Sequence, residues 1–131
     1  MVDDQENDSI LTRLGLERAG LKHPIYSVLG GLAAIAYLNG DPPYRDRGRY
    51  PLPFLLLLDI KMPRVDGFEV LRWIRQQQRF ADLPVVMLTG SEDGRDANTA
   101  YQLGASSFFV KSLDFANASE LSRSVERLIA R

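Results

Sequence analysis

Asp59, Thr89 and Lys111 each close an apolar run, and between them they offer a carboxylate, a hydroxyl and an ammonium. Before Asp59 comes Phe54-Leu55-Leu56-Leu57-Leu58, five apolar residues with neither a helical nor an alternating period. Such a run describes a strand buried on both faces, as in the middle of a parallel sheet. Pro84-Val85-Val86-Met87-Leu88 leads in the same way to Thr89, and Ser106-Ser107-Phe108-Phe109-Val110 leads to Lys111. In open α/β sheets ligands bind in the crevice outside the carboxyl ends of the strands, so all three groups are placed for chemistry. Asp59 alone also suits a second role, capping the turn that follows it.

Asp3 and Asp4 bring two more carboxylates to the same edge, just before the first helix. Grouped carboxylates persist only where a cation joins them. With all-oxygen ligands that cation is hard, such as Mg²⁺. An Asp beside Mg²⁺ stays ionised and can attack phosphorus, while the metal and a lysine neutralise charge on the transferring phosphoryl group. A threonine hydroxyl donates to one of its oxygens. Positioning and electrostatics supply most of what phosphoryl transfer needs.

The elements that position these groups alternate along the chain as helical and strand-like patterns, the mark of βαβ units around a parallel sheet. The periodicity predicts a first helix over Glu6 to Ala19, with Ile10, Leu11, Leu14 and Leu16 inward and Gly20 as its C-terminal stop. A second strand is expected over Ile25 to Val28, then a turn at Gly30-Gly31 and a short helix from Leu32 to Leu38. From Gly40 to Pro53 the density of proline and glycine reads as a long surface loop. Its Arg45, Arg47 and Arg49, lying between Tyr44 and Tyr50, read as solvated charges, with contact to RNA or a partner as the alternative. Beyond the strand that ends at Asp59, Asp66-Gly67 opens an amphipathic helix with Phe68, Val70, Leu71 and Ile74 inward and Glu69, Arg72, Arg75 and Gln76 outward. A polar stretch from Gly90 to Asn98 opens a helix that stops near Gly104, and Ser119 to Ile129 closes the chain with Leu121, Val125, Leu128 and Ile129 on one side.

A length of 131 residues suits a single domain with one substantial core. The formal charge of −1 gives no electrostatic basis for binding nucleic acid or an anionic membrane. Cysteine is absent, which excludes disulfides and thiolate sites and suits a cytoplasmic setting. No apolar stretch reaches membrane-spanning length, and the acidic start is unlike a secretory signal. His23, the single histidine, precedes Pro24 at a turn and reads as structural.

The set Val2-Asp3-Asp4, Leu58-Asp59-Ile60-Lys61-Met62-Pro63 with Asp66-Gly67, Leu88-Thr89-Gly90, Gly104-Ala105 and Val110-Lys111 resembles the receiver domain of two-component response regulators across nearly the whole chain. The resemblance implies a flavodoxin-like (βα)5 doubly wound parallel sheet of order 2-1-3-4-5. It implies Asp59 as phosphoacceptor, with Mg²⁺ held by Asp3, Asp4, Asp59 and the main-chain carbonyl of Lys61. Thr89 and Lys111 would bind the phosphoryl group, Thr89 and Phe108 would form the switch, and Lys61 and Ser91 would tune dephosphorylation. The donor would be a sensor histidine kinase or phosphotransfer protein. Tyr37-Leu38 with Gly40, then Pro42-Pro43-Tyr44, the arginine-rich turn and Tyr50-Pro51-Leu52-Pro53 look like the single-domain regulators associated with bacteriophytochrome kinases. The chain is expected to be a receiver without an output domain over residues 1–131, signalling through protein contact or phosphate relay, and not an enzyme in its own right. The alternative is a degenerate receiver that binds partners without phosphorylation. An aspartyl-nucleophile phosphatase would carry a second Asp where Lys61 stands.

Three departures stand out. Only Met1 and Val2 precede the acidic pair, so the expectation is a truncated first strand, an altered start relative to the natural gene product, or repair of the gap by another chain. Ser112 replaces the family's usual proline after the lysine, and a cis bond there would cost about 3 kcal/mol. Helix Leu32 to Leu38 carries no charge, which points to a contact surface such as a homodimer interface, with tolerated alanines as the alternative.

Overall fold

Buried apolar runs align side by side into one parallel sheet. The computed structural model describes residues 1–90, 94–111 and 118–130. In chain order the elements are β1 (Val2–Asp3), α1 (Glu6–Arg18), β2 (Val28–Leu29), α2 (Gly31–Asn39), β3 (Leu56–Asp59), α3 (Gly67–Gln76), β4 (Val85–Thr89), α4 (Gly94–Gln102), β5 (Ser107–Val110) and α5 (Ala118–Ile129). The strand order is β2-β1-β3-β4-β5, every neighbouring pair parallel, which is the flavodoxin-like order expected from the sequence.

Successive strand residues face opposite sides of the sheet, so β3, β4 and β5 each feed two cores. Leu56, Leu58, Val85 and Met87 pack with Leu38 of α2 and with Val70, Leu71 and Ile74 of α3. Leu57, Val86 and Leu88 pack on the other side with Leu16 of α1 and with Leu121 and Val125 of α5. Burying a leucine or valine in this way contributes about 2 kcal/mol. Asp66 caps α3, its side chain accepting from the Glu69 amide at 2.9 Å.

α1 corrects the sequence reading. Its buried residues are Ser9, Thr12, Gly15 and Leu16, while Ile10, Leu11 and Leu14 are exposed. At about 100° per residue the two sets lie on opposite sides of the helix. Small and hydroxylated side chains fit the inner face, and the apolar stripe is turned outward. Phe54 is likewise not part of its strand but 78% exposed, because the ladder to β4 begins at Leu56, whose amide donates to the Pro84 carbonyl. β2 begins later than expected, since it pairs only where β1 exists: Val2 faces Val28 and Asp3 faces Leu29.

Two arginines expected in solvent are built into the fold. Arg47 donates to the carbonyls of Tyr37 (2.9 Å), Leu38 (3.1 Å) and Tyr50 (3.1 Å), so it closes the carboxyl end of α2 with the long loop. The Tyr37, Tyr44 and Tyr50 rings pack together over it and cover part of the α2 face, leaving Leu32 as its exposed large apolar residue. Arg75 donates to the Gly104 carbonyl through Nε (3.2 Å) and Nη2 (2.8 Å) and to the Phe80 carbonyl through Nη1 (3.1 Å). It thereby ties the end of α3 to the turn between α4 and β5. Arg75→Ala is expected to lower unfolding free energy by about 2 kcal/mol in urea titration, and Arg75→Lys to restore less than half of that, because an ammonium lacks the planar fork.

Candidate functional site: an acidic pocket at the carboxyl edge of the sheet

β1 lies between β2 and β3, and Val2 is paired with Leu58, so the next residues, Asp3 and Asp59, leave the sheet side by side. Both are buried, Asp4 is half-buried, and one oxygen from each of the three lies within 4.8 Å of the others. Lys111 follows β5 directly, its amide donating to the Thr89 carbonyl at 2.6 Å. Its Nζ reaches back across the sheet edge to Asp3 Oδ2 at 3.2 Å and Asp59 Oδ2 at 3.4 Å. A further carboxylate, Asp8 on the first turns of α1, stands 3.7 Å from the same ammonium.

The close approach of α3 shapes the floor of the pocket. The Gly67 amide donates to the Ile60 carbonyl at 2.8 Å, and a β-carbon on Gly67 would collide with the Asp59 carbonyl. Only glycine lets α3 start this near β3.

Burial pushes the Asp59 carboxyl up to about 6, with Lys111 pulling it down and Asp3 pushing it further up. Burial disfavours the Lys111 ammonium, but Asp59, Asp3 and Asp8 outweigh it and raise its pKa. Because folded Asp59 holds its proton more tightly than the unfolded chain does, this carboxyl lends stability in full below its ordinary value of 3.8 and loses it as pH rises through about 6. Asp59→Asn is therefore expected to stabilise the metal-free protein by roughly 1–3 kcal/mol near pH 7.5, the advantage vanishing near pH 4 in urea titrations across that window.

The structure thus brings together Asp3, Asp4, Asp59 and Lys111. Thr89 ends β4 at the same edge and is fully buried. Phe108 is half-buried in β5, paired with Met87 and packed against the core beneath α3. Lys61 is exposed, two positions beyond Asp59. Ser91 and Ser112 lie outside the described residues. Sequence reasoning missed Asp8 and the packing role of Gly67. The signal for Asp8 was its spacing, one helical turn after Asp4 on the helix that the acidic pair introduces. Three clustered carboxylates are the donor set of a hard divalent ion, so the pocket is compatible with Mg²⁺.

A parallel 2-1-3-4-5 sheet with acids at the ends of β1 and β3 and a lysine after β5 is the arrangement that the receiver resemblance implied. Residues 1–123 match the response regulator receiver domain, and the chain belongs to that family. Among its relatives is the response regulator Rcp1 of Synechocystis sp., 32% identical over 126 residues, spanning 96% of this chain and 84% of Rcp1. A structure of Mn²⁺-bound Rcp1 has a TM-score of 0.77 at 31% identity, with 95% of this chain and 91% of that one covered. The phosphorylated cyanobacterial phytochrome response regulator RcpA gives a TM-score of 0.82 at 28% identity over 98% of this chain and 90% of its own. The bacteriophytochrome response regulator RtBRR gives 0.80 at 35% identity over 94% and 73%. Among the described residues no helix is long and apolar enough to cross a membrane.

Proposed function

We propose that this receiver accepts a phosphoryl group on Asp59 from the phosphohistidine of a sensor kinase or phosphotransfer protein. The observation that carries the reading is the meeting of Asp59, Asp3 and Lys111 within 3.4 Å contacts at one sheet edge. An Asp59 carboxylate oxygen attacks phosphorus, the phosphorus–nitrogen bond of the donor breaks, and its electron pair returns to the imidazole. Lys111, already directed at Asp59 Oδ2, pairs with an oxygen of the arriving group. Asp3, Asp4 and Asp59, with the main-chain carbonyl of Lys61, would hold Mg²⁺, which supplies charge neutralisation at the phosphoryl oxygens. The Mn²⁺-bound form of Rcp1 supports that assignment. Thr89 donates its hydroxyl to the new phosphoryl group, and Phe108 follows, carrying the change to the surface around β5. The added phosphate brings about two negative charges to a pocket whose single ammonium is already shared among acids, enough to shift a two-state element.

The phytochrome regulators among the structural neighbours support a bacteriophytochrome kinase as the donor. The exposed stripe of Ile10, Leu11 and Leu14 on α1 lies beside the pocket, since Asp8 of the same helix reaches Lys111, and it suits docking of an apolar helix from that kinase.

Incubation with acetyl phosphate and Mg²⁺ is expected to add one phosphate to the intact mass of the parent and none to Asp59→Asn. Lys111→Ala is expected to slow labelling by roughly 100-fold. An unlabelled parent that also fails to bind beryllofluoride would refute the reading in favour of a constitutive binding module. Leu14→Glu should cut the rate of phosphotransfer from the kinase by about tenfold or more, measured by radiolabel transfer, and leave acetyl phosphate labelling unchanged.

A further inference from the structure

Asp8 stands outside the trio of clustered carboxylates and still meets the pocket. Asp3, Asp4 and Asp59 gather one oxygen each within 4.8 Å, and Asp8 is not in that group. Its contact runs through Lys111, whose Nζ lies 3.7 Å from Asp8 Oδ2. The acids around this ammonium differ in setting. The Asp3 and Asp59 side chains are 4% and 8% exposed, the Asp8 side chain 52%. Lys111 therefore bridges from the buried floor of the pocket to its solvent side, with carboxylate at each end.

Local backbone fixes both partners. The Gln5 amide donates to Asp3 Oδ1 at 3.1 Å and the Ser9 amide to the Gln5 carbonyl at 3.0 Å, so the entry into α1 sets Asp8 at a definite place relative to Asp3. The Lys111 amide is held by the Thr89 carbonyl, which leaves the flexible stem of the side chain as the moving part. Asp3 is engaged on both oxygens, Oδ1 by Gln5 and Oδ2 by Lys111. A cation taking up Asp3 and Asp59 thus competes with an ammonium already seated on their Oδ2 atoms. Like charges repel, and the ammonium has another carboxylate within reach.

Given the Mg²⁺ site read above at Asp3, Asp4 and Asp59, on which the inference rests, we propose that Asp8 is a positioning residue for Lys111. It receives the ammonium as a divalent cation takes up Asp3 and Asp59, and so eases entry of the ion. Asp8 acts through the lysine and not as a ligand. Without it the ammonium either stays on Asp3 and Asp59 and opposes the ion, or leaves for water and has to return when a phosphoryl group arrives. A half-exposed carboxylate holds an ammonium only weakly, which suits a contact that has to be given up.

The test is a Mg²⁺ titration without any phosphodonor, followed by NMR at the Ile60 and Gly67 amides and read as a dissociation constant. Asp8→Asn is expected to weaken Mg²⁺ binding by about tenfold in the parent and by about threefold or less in Lys111→Met, where only the direct attraction of Asp8 for the ion remains. Asp8→Glu keeps the charge and is expected to stay within about twofold of the parent. Equal weakening in both backgrounds would overturn the proposal, because Asp8 would then act on the ion without Lys111. A parent that binds no Mg²⁺ would remove the metal reading and this role with it, whereas a parent that binds Mg²⁺ equally well with and without Asp8→Asn removes this role alone.

Discussion

The organising constraint of this molecule is the Lys111 ammonium among three carboxylates. Asp3 and Asp59 are buried together at a sheet edge, where two unscreened negative charges would repel strongly, and Asp59 already holds its proton to about pH 6. The ammonium at 3.2 and 3.4 Å makes the arrangement tolerable without removing the strain. The pocket's clustered carboxylates are compatible with a hard divalent cation. The Asp59 carboxylate is also set directly beside the Lys111 ammonium.

Each member of that cluster depends on a different part of the fold. Asp3 and Asp59 are adjacent because β1 and β3 are parallel neighbours, and Lys111 is near because β5 ends level with β4. Gly67 allows α3 to begin against the Asp59 carbonyl. Strand order thus appears at the site as distances between charges, and any slip in register would separate the acids from the lysine.

The strands were legible because Leu55 to Leu58 and Val85 to Leu88 are unbroken apolar runs, each ending in a polar residue of distinctive type, while their order followed from the receiver resemblance. The acids, the threonine and the lysine could be named for the same reason. Helix orientation was harder to read. In α1 the apolar residues Ile10, Leu11 and Leu14 form a coherent stripe, and periodicity alone cannot say that the stripe faces outward while Ser9 and Thr12 face the core. Arg47 and Arg75 were misread as solvent charges because their partners are backbone carbonyls, which leave no trace in side-chain pattern. β2 was placed too early because its bounds are set by how little of β1 there is to pair with, a property of the neighbour rather than of its own residues.

The Arg75 tether has a mechanical consequence. By holding the Gly104 carbonyl, it anchors the carboxyl end of α4 to the rigid body of α3, while the amino end of α4 points toward the edge that carries Thr89. The carboxyl end of α4 is thereby the end held most firmly to the rest of the fold. Any shift of this helix would therefore cost least at its amino end and most at the end that Arg75 grips.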